Sequence, residues 1–335
     1  MPKKVTISTV AEKAGVSCST VSHVLSGNRP ISKKICDRVR RVIKKLGYAP
    51  NPLARGLALN KTMQIGVLIE GIANSISSVS VESIERTLRE HGYRIFLGIC
   101  GKDRTVALSY LREFSSGFAD GVINMVPQIG AMEAVRECRG IPVITYIRPC
   151  KGAPVLFDSE KGGMLATEHL WTLGHRKIGL ISVKEFAPEV KCDGRELGYR
   201  RFFAEKNVEV DEALVMPGDN TVESGYALAD KLYKAGASAI FASNDMMAAG
   251  VIQWAHDTGV NIPRDLSVVG FDDSPVAQIV SPRLTSVQLP VEVLMEKTVV
   301  ALIDRIDGKE FPKQEIIEPE LIVRNSTGCF GARKT

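Results

Sequence analysis

The stretch Val5–Leu25, VTISTVAEKAGVSCSTVSHVL, decides how this chain reads. Val10, Ala11 and Ala14 share one helical face, and Val21, Val24 and Leu25 share another. Gly15 breaks the run between them and suits a tight turn that needs unusual backbone angles. Ser17 then offers a hydroxyl that can accept a backbone N–H from the next helix. Two such short helices cannot bury their faces alone. A third, predicted from about Ser32 to Leu46, carries Ile35, Val39, Val42, Ile43 and Leu46 at the right period to cover them. The result is a helix-turn-helix head whose second helix is suited to a DNA major groove.

Charge supports that reading. Residues 1–60 hold 12 Lys or Arg against two acids, Glu12 and Asp37, a surplus of +10. The whole chain is +5, so the remaining 275 residues carry −5. A basic head on an acidic body is the footprint of a DNA-binding module joined to another domain. Some of Lys33, Lys34, Arg38, Arg40, Arg41, Lys44 and Lys45 serve only as a solvated helix face.

A length of 335 residues allows two or three domains, and 44% hydrophobic content suits a large core. No apolar run reaches the roughly 18 residues of a membrane span, and the start lacks a signal-peptide core. A cytoplasmic protein with no membrane partner is therefore expected. The seven cysteines form no CxxC pair, so reduced, mostly buried thiols are expected, with no metal site and no cofactor. Dinucleotide, P-loop and hydrolase motifs are absent, and the scattered acids form no defensible acid/base pair, so no enzyme is expected.

The residues Val10-Ala11, Ala14-Gly15-Val16-Ser17, Thr20-Val21-Ser22 and Val24-Leu25 together resemble the lactose/galactose-repressor (LacI/GalR) family of bacterial transcription regulators. The resemblance continues through Gly47-Tyr48-Ala49-Pro50-Asn51 and Ala54-Arg55-Gly56-Leu57 and extends over essentially the whole chain. It implies that Cys18, Ser19 and His23 read bases. It implies that Ser17, Thr20, Ser22 and Asn28 meet phosphates, and that Thr6, Asn51 and Arg55 also face DNA. Three departures stand out: Thr9 where members carry Asp, His23 where most carry Arg, and Cys18, small for a base reader. The operator should differ at the positions these residues face.

Pro50 and Pro52 forbid a helix continuing from Leu46, but Pro52 suits a first turn after Asn51. By resemblance residues 49–61 are a hinge helix that folds on the operator, with Leu57 as a wedge in the minor groove. The bland alternative is a plain linker.

After Lys61 the pattern alternates between strand and helix. Strands are predicted at Ile65–Glu70, Tyr93–Ile99, Gly121–Met125, Pro142–Ile147, Lys177–Ser182, Ala213–Met216, Ala239–Ser243 and Ser267–Phe271. Helices are predicted at Val79–His91, Thr105–Ser116, Ile129–Arg139, Gly162–Thr172, Arg195–Lys206, Val222–Ala235 and Met246–Asp257. This order predicts an α/β fold: a three-helix head (1–48), a hinge (49–61) and a two-lobed core of doubly wound parallel sheets (62–335). Asp158-Ser159-Glu160, Gly174-His175-Arg176-Lys177-Ile178, Ser243-Asn244-Asp245 and Val269-Gly270-Phe271-Asp272 resemble the same family and its periplasmic sugar-binding relatives. The resemblance implies crossings near 160, 290 and 320. Lobe 1 would then be about 62–160 with 291–319, and lobe 2 about 161–290 with 320–328. Strands Glu315–Glu318 and Leu321–Arg324 would close the lobes.

By resemblance the crevice uses Ile76, Ser77, Lys191, Arg195, Asn220, Asn244 and Asp272. Arg195 and Asp272 are expected to pair and share a ligand's hydroxyls, unless they form a purely structural ion pair. Lys191 would tilt the site toward an acidic or phosphorylated ligand. His175 reads as structural. Ile147 stands where members carry an Asp before Arg148. The expectation is a homodimeric repressor, or a tetramer of paired dimers, that binds palindromic double-stranded operator DNA and a carbohydrate or sugar-acid effector. The competing reading is a sugar-binding protein with no DNA role.

Overall fold

The computed structural model describes residues 5–26, 29–48, 61–72, 75–145, 154–183, 193–310 and 313–331. The chain divides into two compact units, Met1–Thr62 and Met63–Thr335. The first holds helices α1 (Ile7–Ala14), α2 (Cys18–Ser26) and α3 (Lys33–Leu46). Val10, Ala11, Ala14, Val21, Val24 and Val39 make its core, with Ile35, Val42, Ile43 and Leu46 packed against them. Leu25 was expected beside Val21 and Val24 but is 40% exposed. One residue past Val24, it is rotated about 100° off the buried face.

Local hydrogen bonds fix the ends of these helices. Thr6 Oγ1 accepts the Thr9 N–H at 3.3 Å, and Thr9 Oγ1 accepts the Thr6 N–H at 3.4 Å, a reciprocal capping box. Thr9 thus closes the helix start without adding an acid to a basic head. Gly15 sits at φ +60°, and its N–H satisfies the last carbonyls of α1.

The second unit has two lobes. Lobe 1 contains β1 (Gln64–Ile69), α4 (Ser75–Glu90), β2 (Arg94–Ile99), α5 (Arg104–Glu113), β3 (Gly121–Asn124), α6 (Ala131–Glu137) and β4 (Val143–Thr145). Its sheet runs β2-β1-β3-β4, all parallel. β5 (Val155–Phe157) leads into α7 (Ser159–Thr172), which opens lobe 2. There follow β6 (Ile178–Val183), α8 (Gly194–Glu205), β7 (Val215–Gly218), α9 (Val222–Lys234), β8 (Ala239–Ala242), α10 (Asp245–Thr258), β9 (Ser267–Asp272), α11 (Pro275–Ile279) and β10 (Thr285–Gln288). The chain then returns to lobe 1 through α12 (Val291–Ile306) and β11 (Glu315–Ile317), and ends with β12 (Glu320–Ile322).

The lobe 2 sheet is ordered β12-β10-β9-β8-β6-β7. It is parallel except for the edge strand β12, which runs antiparallel to β10. β5 pairs with β11 in a separate two-stranded ribbon. β5, α11, β10 and α12 go beyond the elements expected from the pattern. α12 supplies Val291, Leu294, Met295, Val299 and Leu302 to the lobe 1 core beside Ile65, Val67 and Ile84. Among the described residues no helix is long and apolar enough to cross a membrane. Of the described cysteines, Cys100 and Cys138 are buried, Cys36 is half-buried and Cys18 and Cys329 are exposed; Cys150 and Cys192 lie outside the described residues.

Two glycines bring α7 and α8 together backbone to backbone. A Cβ on Gly163 would lie 2.1 Å from the Arg195 carbonyl oxygen, and one on Gly198 1.9 Å from that of Glu160. Only the absence of a side chain permits this crossing, which sets the start of α8 against α7.

His175 is buried and tethers the C-terminal segment. Its Nε2 lies 3.1 Å from the Gly328 carbonyl, an acceptor only, so that nitrogen carries the proton of the neutral ring. Nδ1 lies 3.0 Å from Ser238 Oγ. Burial, first, and the neighbouring Arg176 push the imidazole pKa down, against the opposing pull of the Gly328 carbonyl. The folded ring therefore resists a proton that the unfolded chain takes near pH 6.5. Its contribution is complete above that pH and is lost as pH falls below it. Burial pushes Asp245 and Asp272 up, which acts in the opposite sense, so the difference between two proteins isolates the histidine. Denaturant titration at pH 7.5 and 5.5 should show the stability advantage of wild type over His175→Gln shrinking at the lower pH. A constant gap would contradict the assignment.

Candidate functional site

In the head, Ser17 caps α2: its Oγ accepts the Thr20 N–H at 3.1 Å and lies 2.7 Å from Ser19 Oγ and 2.8 Å from Thr20 Oγ1. Cys18, Ser19 and Ser22 are exposed, and Thr20 and His23 half-buried, while Val21 and Val24 face the core. One side of α2 is thus a row of small polar groups backed by packed valines. Short polar side chains on such a face can approach base edges closely. Thr6 is exposed, with its hydroxyl engaged in the cap of α1. All seven basic residues of α3, Lys33 to Lys45, are exposed. Asn28, Asn51, Arg55 and Leu57 lie outside the described residues.

In the core, a cavity of about 290 Å³ opens where the strands of lobe 2 end. Ile76 and Val79 on α4 and Val291 on α12 line it from the lobe 1 side. Asp272, Asp273, Ser274 and Gln288 line it from lobe 2. Ligands of open α/β sheets bind at such carboxyl ends. Asp272 adopts φ +103° and Asp273 φ +50°, both left-handed. Such angles are costly for residues other than glycine and cluster at functional sites.

Four carboxyl groups, Asp193, Asp245, Asp272 and Asp273, and two arginines, Arg195 and Arg324, interact in this region. Asp193 caps α8 by accepting the Arg195 and Glu196 N–H groups at 2.7 and 3.1 Å. Its other oxygen binds the Arg195 side chain, at 3.0 Å from Nε and 2.8 Å from Nη2. Arg195 Nη1 donates to the Ser243 carbonyl at 2.7 Å, and the guanidinium lies 5.4 Å from the Phe271 ring centroid. Arg324 forms an ion pair with Asp273 at 2.6 Å. Asp245, 1% exposed, accepts from the Ser274 N–H at 2.7 Å and from Ser286 Oγ at 2.6 Å, yet burial pushes its pKa up to about 6. Burial and the nearby Asp245 carboxyl hold Asp272 well above the usual carboxylate range, more than Arg195 pulls it down.

Arg195 forms an ion pair with Asp193, two residues before it and also the cap of α8, while its charge still acts on Asp272, the carboxylate expected beside it. Asn244 and Asn220 are brought together, with Asn244 Nδ2 donating to Asn220 Oδ1 at 2.9 Å. Asn244 Oδ1 is occupied in capping α10 through the Met247 N–H at 2.8 Å. Ser77 is half-buried on the first turn of α4. Lys191, Ile147 and Arg148 lie outside the described residues. Asp193, Asp273 and Gln288 escaped the sequence reading. The Asp-Gly-Arg start of a helix was the available sign for Asp193. Among the described residues no cluster of three or more His, Cys, Asp or Glu could hold a metal.

A reading helix with a basic neighbour has no use in a solute carrier, and a ligand-sized cavity has none in an architectural DNA-binding protein. Together they define a DNA-binding regulator with an effector-binding core. Residues 6–51 match the lacI family of bacterial regulatory proteins, and residues 167–327 match the periplasmic binding protein-like domain. The HTH-type transcriptional repressor PurR of Vibrio campbellii is 32% identical over 333 residues, 96% of this chain and 98% of that protein. The lac repressor dimer bound to operator and an anti-inducer is 25% identical, with a TM-score of 0.87 over 97% of this chain and all of that one. The transcriptional regulator CelR in complex with cellobiose is 30% identical, with a TM-score of 0.70 over 96% and 99%. The chain belongs to the lacI family of bacterial transcription regulators.

Proposed function

We propose that this protein is a homodimeric repressor that acts in the cytoplasm by binding alone, without catalysis. It binds a two-fold-symmetric operator, and a carbohydrate or related metabolite in the inter-lobe cavity controls it. The observation that carries the proposal is that one chain joins a polar reading helix to a cavity lined by both lobes. Cys18, Ser19 and His23 read bases, Ser17, Thr20 and Ser22 meet phosphate, and Thr6 completes the helix that supports them. Asn28, Asn51, Arg55 and Leu57 extend the contact in the manner of the family. The dimer seen for the lac repressor relative, and the cellobiose seen for CelR, supply the assembly and the ligand class. Ile76, Ser77, Asn220, Asn244 and Asp272 surround the ligand, and closure around it shifts the population that binds DNA.

Selection from random DNA by the full-length protein should yield a palindrome, and one metabolite of a sugar panel should change its affinity and raise the melting temperature. Asp272→Asn keeps the shape and removes the charge. It should weaken that effector by about 1.5–3 kcal/mol in calorimetry, the cost of losing a charged hydrogen bond. Operator binding without effector should stay near wild type. Unchanged effector affinity would place the pocket on other residues.

A further inference from the structure

We propose that Arg324 is a positioning residue for effector binding: it holds the turn Asp272–Asp273, on the cavity wall, in its left-handed form. This rests on the reading of the inter-lobe cavity as the effector site. Asp272 at φ +103° and Asp273 at φ +50° are consecutive, neither is glycine, and both line the cavity. Left-handed angles cost energy at any residue other than glycine, and they persist only where the surroundings over-determine them. Two in a row need a hold from outside the turn.

Arg324 lies two residues past the end of β12 and meets Asp273 at 2.6 Å, with the two side chains only 15% and 6% exposed. The arginine is itself braced. Its Nη1 donates to the Leu284 carbonyl at 2.8 Å, and its N–H donates to Thr285 Oγ1 at 2.9 Å. Behind the turn the Asp273 N–H donates to Ser286 Oγ at 3.1 Å, and the Ser274 N–H to Asp245 at 2.7 Å. Gln288 Nε2, 3.5 Å from the other Asp273 oxygen, is at the limit of a hydrogen bond. The ion pair is the strong, charge-assisted tie in this set. Without Arg324 the Asp273 carboxylate would be stranded away from water, a costly state that ends when the turn swings out and hydrates it. Asp272 moves with it, because the two residues share a peptide unit. The Asp272 carbonyl also accepts the Leu289 N–H at 3.1 Å, where the chain leaves β10 for lobe 1. Arg324 is not among the residues that line the cavity, so it acts through Asp273 and not by touching the ligand.

Two full-length variants separate positioning from plain stability. Arg324→Met strands a buried carboxylate and should lower the urea midpoint. Adding Asp273→Asn removes the stranded charge and should restore most of that loss. Asn is at home in the left-handed region, so any departure of the turn from it follows from the lost arginine. Sugar affinity should not return with stability. In calorimetry with cellobiose, ribose and glucose, whichever binds wild type should bind the double variant at least about tenfold more weakly, the loss expected when Asp272 no longer meets the ligand. A crystal structure of the sugar-free double variant should show residues 272 and 273 outside the left-handed region. A double variant that regains stability and wild-type sugar affinity together overturns the inference and leaves the effector site standing. So does one whose turn keeps its left-handed angles. If none of the sugars binds wild type, the carbohydrate reading falls, and the backbone angles of the double variant alone decide whether Arg324 holds the turn.

Discussion

Deleting residues 1–62 should abolish operator binding and leave a folded, ligand-binding core. The expectation rests on where the charge lies: +10 within residues 1–60 and −5 over the rest. Counterion release makes such contacts the main source of affinity. A protein that neutralises about six to ten phosphates loses roughly 10³–10⁵ in affinity between 50 and 200 mM salt. The full-length protein should show that steep slope. The remaining unit, Met63–Thr335, has its own apolar clusters in both lobes and keeps every described residue of the cavity. Gel shift and fluorescence anisotropy at several salt concentrations provide the check. A truncated core that still shifts operator DNA would move the binding surface onto an acidic body and refute the assignment.

The second large effect concerns packing. Gly198→Ala should cost about 3 kcal/mol, the upper range for overpacking, because the new methyl has nowhere to go. It would lie 1.9 Å from the Glu160 carbonyl oxygen and 2.7 Å from the Met164 nitrogen, both backbone atoms that cannot rotate aside. The helices must part instead, and Gly163 on the same crossing touches the Arg195 carbonyl, so effector affinity should fall with stability. Gly130→Ala is the control, since nothing lies within 4 Å of its Cβ position. Urea denaturation of both variants measures the difference. A loss below about 1 kcal/mol for Gly198→Ala would mean that the crossing is loose.

Much of this architecture was legible in the sequence, for reasons that can be named. The head could be read because its buried positions follow one short periodic pattern and Gly15 marks the turn. The α/β order could be read because strands buried on both faces are continuous apolar runs. α12 keeps helical spacing too, at Val291, Leu294, Met295, Thr298, Val299 and Leu302, but it lies beyond the expected crossing near 290. The strand β10 is only four residues, Thr285–Gln288, and three of them are polar, so no period could reveal it. The partner of Arg195 was not legible because sequence spacing ranks no carboxylate by distance. Asp193 and Asp272 both end or begin elements facing one crevice, and only the fold decides between them. The capping role of Thr9 is not legible either, since the family pattern at that position signals only a missing charge and not a hydroxyl bond.

The glycine crossings also constrain how the core can move. On one side of lobe 2, Gly163 and Gly198 lock α7 to α8. On α9 and α10, Gly225 and Gly250 do the same: Cβ atoms there would lie 2.0 Å from the Met247 and Val222 carbonyl oxygens. Helices seated backbone on backbone have no side-chain layer in which to slide, so shear within each of these two pairs is opposed. A movement of one lobe against the other is then expected to fall on the connecting chain after Phe157, Gln288 and Ile317 and not on the helix layers.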